Sequence, residues 1–128
     1  MTDRAGRCEI IRKIPDKRAM TIRQALRSIL KAGYIIRSIT TDNGSEFLEY
    51  DKLLAVTGCP VYYCHSFAAW EKGTNENHNR MIRRWFPKGT DFSKISANEI
   101  AECEDWMNNY PRKSLSWLTP REFMSLAA

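Results

Sequence analysis

Apolar positions recur along the chain in two rhythms, one near every second residue and one near every third and fourth, and their alternation predicts an α/β protein. Cys8 to Ile14 is rich in β-branched residues and alternates imperfectly. It reads as a strand with Glu9, Ile11 and Lys13 on one side, ended by Pro15-Asp16-Lys17. From Ala19 to Lys31, Ile22, Leu26, Ile29 and Leu30 fall at helical spacing, with Gly33 placed to close the helix. Ile35 to Thr40 reads as a second strand that runs into Asp42. Glu46 to Val56 follows as a short helix, with Phe47, Tyr50 and Leu54 on its apolar stripe and Gly58 and Pro60 closing it. Val61 to Cys64 is a short strand. A strand, helix, strand order predicts parallel pairing through a right-handed crossover.

A loop from His65 to Gly73 leads into a helix from about Thr74 to Trp85, and Pro87 to Ser93 is again loop. Ser96-Ala97-Asn98-Glu99 is a capping box, after which Ile100, Cys103, Met107 and Tyr110 give a helix its apolar face. Thr119-Pro120-Arg121-Glu122 is a second capping box with proline at the first helical position, opening a last helix to about Leu126. Repeats, low-complexity tracts and linkers are absent from the sequence, so residues 1–128 are expected to form one α/β domain.

Composition adds limits. The chain has 128 residues, 43% of them hydrophobic and 27% charged, which is a globular rather than a disordered balance. No apolar run approaches the ~20 residues of a spanning helix. No membrane association is expected, and a cytoplasmic location is the default. The net charge of +5 tilts toward polyanionic partners but is too mild to decide anything alone. Cys8, Cys59, Cys64 and Cys103 form no C-x-x-C pair, and the spacing of Cys59, Cys64 and His65 is irregular for zinc, so they read as reduced core thiols.

Two acidic islands carry the candidate chemistry: Asp42-Asn43-Gly44-Ser45-Glu46 after a strand, and Glu71 to Asn77 at the start of a basic helix, with 33 residues between Asp42 and Glu76. Carboxylates at the ends of neighbouring elements can share a divalent cation, the usual agent of phosphodiester chemistry. Asp42 sits where open α/β sheets place ligands, yet Asp-Asn-Gly is equally a turn or a helix cap. Glu76 is a potential ligand, yet an acid in a first helical turn is favoured by the helix dipole anyway. Arg80 and Arg83 lie four and seven residues on, along the same face, with Arg84 and Lys88 nearby. That row is either an ion-pair ladder or a seat for a phosphate backbone. Trp85 and Phe86 read as core, Trp70 is open between core and base stacking, and His65 and His78 receive no catalytic role.

The strings TTDNGSEF, SFAAWEKGTNENHNRMIRRWFPKGTDFS and NNYPRKSLSWLTPREF closely resemble the catalytic core of bacterial insertion-sequence transposases of the insertion-sequence-thirty type, within the retroviral-integrase superfamily. The resemblance covers essentially the whole chain and is densest from Trp70 to Ser93. It implies a ribonuclease-H-like integrase core, a mixed sheet flanked by helices. It also implies an Asp, Asp, Glu triad that binds two Mg²⁺ or Mn²⁺ ions, cleaves donor DNA and transfers its 3′ hydroxyl to target DNA. Asp42 matches the second acid and Glu76 the third. Asn43, Gly44, Lys72 and Asn75 match their motif neighbours, and Arg83 matches a basic position on the glutamate helix. The expected DNA-facing set is therefore Lys72, Asn75, Arg80, Arg83 and Arg84, and the expected metal ligands are Asp42 and Glu76.

Two departures qualify the match. Met1 to Arg4 corresponds to a turn that follows the family's first strand, so the central strand and the first acid are expected to be missing and Asp3 is not their substitute. The segment Cys64 to Ala69 also lacks the usual proline-tyrosine before Trp70. On that basis the chain alone is expected to be marginally stable, to hold metal weakly or not at all, and to perform no strand transfer. A non-catalytic DNA-binding module derived from a transposase, acting with itself or with an intact transposase, is the alternative. A metal-dependent nuclease of the same fold is a third reading.

Overall fold

Ile39–Thr41 (β1) and Val61–Tyr63 (β2) pair in parallel, Ile39 opposite Val61 and Thr41 opposite Tyr63, in the computed structural model, which describes residues 1–3, 5–41, 50–63 and 73–127. Among the described residues, five α-helices accompany them: α1 (Ala19–Lys31), α2 (Tyr50–Thr57), α3 (Gly73–Trp85), α4 (Ala97–Asn108) and α5 (Pro120–Ala127). The protein is thus α/β, with the expected parallel pairing. The contacts divide into two compact units, Ile14–Glu71 and Met1–Lys13 with Lys72–Ala128.

In the unit Ile14–Glu71, α1 forms where the periodicity places it. Asp16 accepts bonds from the Arg18 amide (2.9 Å) and the Thr21 hydroxyl (2.6 Å), tying down the entry to the first turn. Gly33 leaves the helix at φ 97°, a left-handed conformation that favours glycine, and donates its N–H to Leu30 O. Leu26 of α1, Leu53 of α2 and Val61 of β2 are buried together, with Ile22, Ile36, Ile39, Val56 and Tyr63 packed around them. Two expectations need correction. The strand is Ile39–Thr41, not Ile35 to Thr40, and Ile35 is 87% exposed. Pairing begins where Ile39 N–H meets Pro60 O, so the residues before it have no ladder to join. On α2, Leu53 rather than Leu54 faces the core, at 2% against 37% exposure, one position off the expected stripe. Phe47 and Cys64 lie outside the described residues.

In the unit Met1–Lys13 with Lys72–Ala128, Met81 of α3, Phe86 just past its end, and Cys103 and Met107 of α4 are buried together, with Ile11, Ile82, Ile95 and Trp106 against them. The capping box of α4 is present in both directions: Ser96 Oγ accepts from Glu99 N (3.2 Å) and Glu99 Oε2 from Ser96 N (3.0 Å). At α5, Glu122 N donates to Thr119 Oγ1 (3.1 Å), Thr119 N–H reaches Glu122 Oε2 (3.5 Å), and Pro120 is fully buried. Ile100, Cys103 and Met107 face inward as expected. Tyr110 does not, lying past the helix end at 43% exposure. Burial pushes the Cys103 thiol up to about 11, which suits an inert core thiol, and Cys59 is likewise buried and free.

The expected strand from Cys8 to Ile14 is not one. An isolated antiparallel bridge joins Thr2 and Glu9, with Asp3 N–H donating to Cys8 O (2.8 Å) and Ile10 N–H to Met1 O (2.8 Å), and side chains of α4 bond further backbone groups of the segment. Asn108 accepts from Glu9 N (2.7 Å) and donates to Glu9 O (2.9 Å), while Glu104 accepts from Ile11 N (2.8 Å). The carboxamide of Asn108 offers the same donor and acceptor pair that a neighbouring strand would. The segment is therefore extended and bonded without belonging to a sheet. Its sides also differ from expectation, because Glu9 and Ile10 are both buried.

Candidate nucleic-acid interface

The sequence of α3 splits it into two faces. Successive residues turn 100°, so Glu76, Arg80, Arg83 and Arg84 share one side while His78 and Met81 share another. The structure follows this division: Glu76, Asn77, Asn79, Arg80, Arg83 and Arg84 are exposed, and His78 and Met81 are buried. The polarity also suits the helix dipole, with Glu76 in the first turn and Arg83 and Arg84 in the last.

The outer face borders a cleft of about 640 Å³ lined by Asn79, Arg80, Ile82, Arg83, Arg84, Lys88 and Phe92. Arg83 is held in place there. Its Nη1 donates to Phe86 O at 3.3 Å, and its guanidinium lies 5.9 Å from the centre of the Phe92 ring. Phe92 packs edge-on against Phe86, with centroids 5.8 Å apart. Among the described residues no acid forms an ion pair with Arg80, Arg83, Arg84 or Lys88, and the ladder between Glu76 and Arg80 is not formed. Four cations are thus gathered with no ion-paired acid among the described residues, the kind of surface that suits phosphate.

The inner face is anchored by polar contacts. His78 Nδ1 is 2.7 Å from Glu9 Oε2, and Arg112 Nη1 is 3.4 Å from His78 Nε2. A guanidinium can only donate, so Nε2 accepts and the ring proton sits on Nδ1, facing Glu9. Thr2 Oγ1 also bonds Glu9. Arg112 donates further to Met107 O (2.9 Å) and Tyr110 O (3.2 Å). Burial pushes the Glu9 carboxyl up, but the bonds from His78 and Thr2 and the amino group of Met1 outweigh it and hold the group below its usual range. The rotation of α3 about its axis is thereby fixed by His78, two residues beyond Glu76.

Comparison with known proteins places the chain. It is 38% identical over 123 residues to the transposase for insertion sequence element IS4351 of Bacteroides fragilis, covering 95% of this chain and 38% of the relative. It is 33% identical over 126 residues to transposase InsI for insertion sequence element IS30A of Escherichia coli (strain K12), covering 97% of this chain and 33% of the relative. Over the segment it spans, this chain belongs to the IS30-type insertion-sequence transposases. A putative integrase of Spiroplasma virus SpV1-R8A2 B is also similar, at 33% identity over 87 residues, 68% of this chain and 27% of the relative. The chain spans roughly a third of the length of these transposases. No protein-family model matches it.

Within this transposase segment, Glu76, Arg80, Arg83 and Arg84 stand on one exposed helix face. Asp42 with Asn43 and Gly44, Lys72, Trp70 and the side chain of Asn75 lie outside the described residues. Asp3, not expected to be a ligand, accepts backbone N–H bonds from Ala5 (3.3 Å) and Gly6 (3.1 Å) in a turn. Among the described residues no three His, Cys, Asp or Glu side chains converge, and no helix is long and apolar enough to cross a membrane. Trp85, expected in the core, is 38% exposed and packs tilted against Trp106 with centroids 6.0 Å apart, whereas Phe86 is buried as expected. The sequence reading missed the Glu9, His78, Asn108 and Arg112 cluster. Each is an isolated polar residue along the chain, Glu9 and His78 being 69 positions apart, and no local signal joins them.

Proposed function

We propose that this chain forms part of a ribonuclease-H-like transposase core that acts on DNA, with Asp42 and Glu76 as metal-ligating acids. The observation that carries this reading is similarity to insertion-sequence transposases along 95% or more of the chain. In sequence, Asp42 is the residue after Thr41, the last of β1, and parallel sheets hold their ligands beyond the carboxyl ends of their strands. Glu76 is exposed at the N-terminal end of α3, one turn before Arg80. Asp42 and Glu76 are the residues that would hold Mg²⁺ or Mn²⁺, and the bound ion would supply Lewis-acid chemistry at a phosphodiester. In this reading Arg80, Arg83 and Arg84, with Lys72 and Asn75, bind the phosphate backbone and set its register against Glu76. The buried His78 and Glu9 pair keeps that cationic face turned outward.

Two carboxylates are an incomplete set for two ions, so DNA binding with at most weak nicking, and no strand transfer, is the behaviour expected of the chain alone. A nicking assay on supercoiled DNA with Mn²⁺ tests this against Asp42→Asn and Glu76→Gln. Nicking abolished in both variants assigns the acids. Nicking that both variants retain removes them from the mechanism.

A further inference from the structure

We propose that the cleft beside α3 seats an unpaired nucleotide of single-stranded DNA, its base stacked on Phe92 and its phosphates on Arg80, Arg84 and Lys88. The proposal rests on the DNA-directed reading above and names the form of DNA that this surface takes. A surface that only tracks a duplex backbone needs cations and little else, because phosphates and sugars are all it meets. This cleft has more. Ile82 and Phe92 contribute apolar surface beside a cationic rim in an open cleft. Apolar surface and cationic rim together match a nucleotide, which has an aromatic face at one end and an anion at the other.

The aromatic member is prepared for the task. The edge-on contact with Phe86 fixes the Phe92 ring, yet 40% of the residue stays exposed. Arg83 is braced by Phe86 O and the Phe92 ring and adds its charge from a fixed position, while Arg80, Arg84 and Lys88 line the rim that meets this nucleotide's phosphates. The exposed amide of Asn79 adds a donor and an acceptor within reach of a base edge. Stacking on a single ring tolerates any base, so little sequence preference is expected. Arg80 stands about 6 Å along the helix axis from Glu76, so a nucleotide held here belongs to the strand presented to that acid.

Fluorescence anisotropy with a labelled twelve-residue oligothymidylate and a blunt duplex of equal length tests the proposal on the whole chain. Phe92→Leu keeps apolar packing and removes the aromatic face. It is expected to weaken single-strand binding about tenfold while leaving duplex binding within about twofold, and Phe92→Trp is expected to retain or tighten it. Arg84→Ala combined with Lys88→Ala changes exposed side chains only. This pair is expected to lower the slope of log affinity against log salt for the single strand by about 1.4. Thermal melting establishes that each variant is folded. Should Phe92→Leu melt out, the Phe92→Trp result and the salt slope decide. Equal losses on both probes, undiminished single-strand binding by folded Phe92→Leu, or an unchanged salt slope would overturn the nucleotide seat. Duplex binding that survives such a result leaves the DNA-directed reading standing. A wild-type chain that binds neither probe sinks both.

Discussion

The two compact units hold their extended backbone in different ways. In Ile14–Glu71, β1 finds β2 and the bonds run strand to strand. In the other unit, the residues around Glu9 share only a short backbone pairing with Met1 to Asp3, and their remaining bonds run from strand-like backbone to the helix side chains Asn108 and Glu104. Both segments are short runs rich in Ile with similar polar neighbours, and nothing within either run distinguishes them. The difference shows that extended backbone is selected by burial and by the demand that each buried N–H and C=O be paired, while the identity of the partner is a separate matter. A side-chain amide meets that demand at one point, and a strand meets it along a line.

Leu53→Ala should break the strand-paired unit most severely. The residue is 2% exposed between α1 and β2, and a cavity there costs about 2–5 kcal/mol, read as a lower urea midpoint for unfolding. Asn108→Leu should break the other unit nearly as hard. It keeps the volume but strips both partners from the Glu9 peptide groups, about 1–3 kcal/mol for each group left buried. The comparison is sharpened by hydrogen exchange: Asn108→Leu should speed exchange of the Glu9 amide and leave that of Ile39 unchanged. Equal effects at both amides would mean that the two units unfold as one.

The smallest expected effect is that of acid. The Glu9 carboxyl is held below its usual value of 4.5, so its contribution to stability is fully present above that pH and is lost as pH falls through the lowered folded value. Glu9→Gln should therefore destabilise the protein at pH 7 by about 1.5–3 kcal/mol, as expected for hydrogen bonds to a charged group, and should flatten the decline below pH 5. Urea midpoints from pH 7 to pH 3 for both proteins measure it. Parallel curves would show that Glu9 takes no part.

Much of the helical architecture is legible along the chain because its causes are local. The repeat of Ile22, Leu26 and Ile29 marks α1 to the residue at both ends, and Gly33 marks its close. Ser96 with Glu99 and Thr119 with Glu122 mark two helix starts, since each cap joins groups three residues apart. The two faces of α3 follow from a 100° turn, so Glu76, Arg80 and Arg83 are aligned before any packing is known. Failures occur where the cause is distant. Leu53 displaces Leu54 because α1 and β2 approach from a direction that α2 does not encode. Trp85 stays partly exposed because Trp106, from the next helix, meets its ring at a tilt.

Periodicity, caps and the cationic face of α3 thus belong to the chain as written, since each depends on neighbours within about one helical turn. Tertiary structure alone decided that Glu9 would lie against His78 and Asn108, that Cys8 to Ile14 would pair with a helix rather than a sheet, and that Lys88 and Phe92 would complete a cleft with Arg80 and Arg84. Those outcomes depend on which distant polar groups are buried together. Once water is excluded, an unpaired donor or acceptor costs more than most single contacts return, and the fold settles where such groups meet.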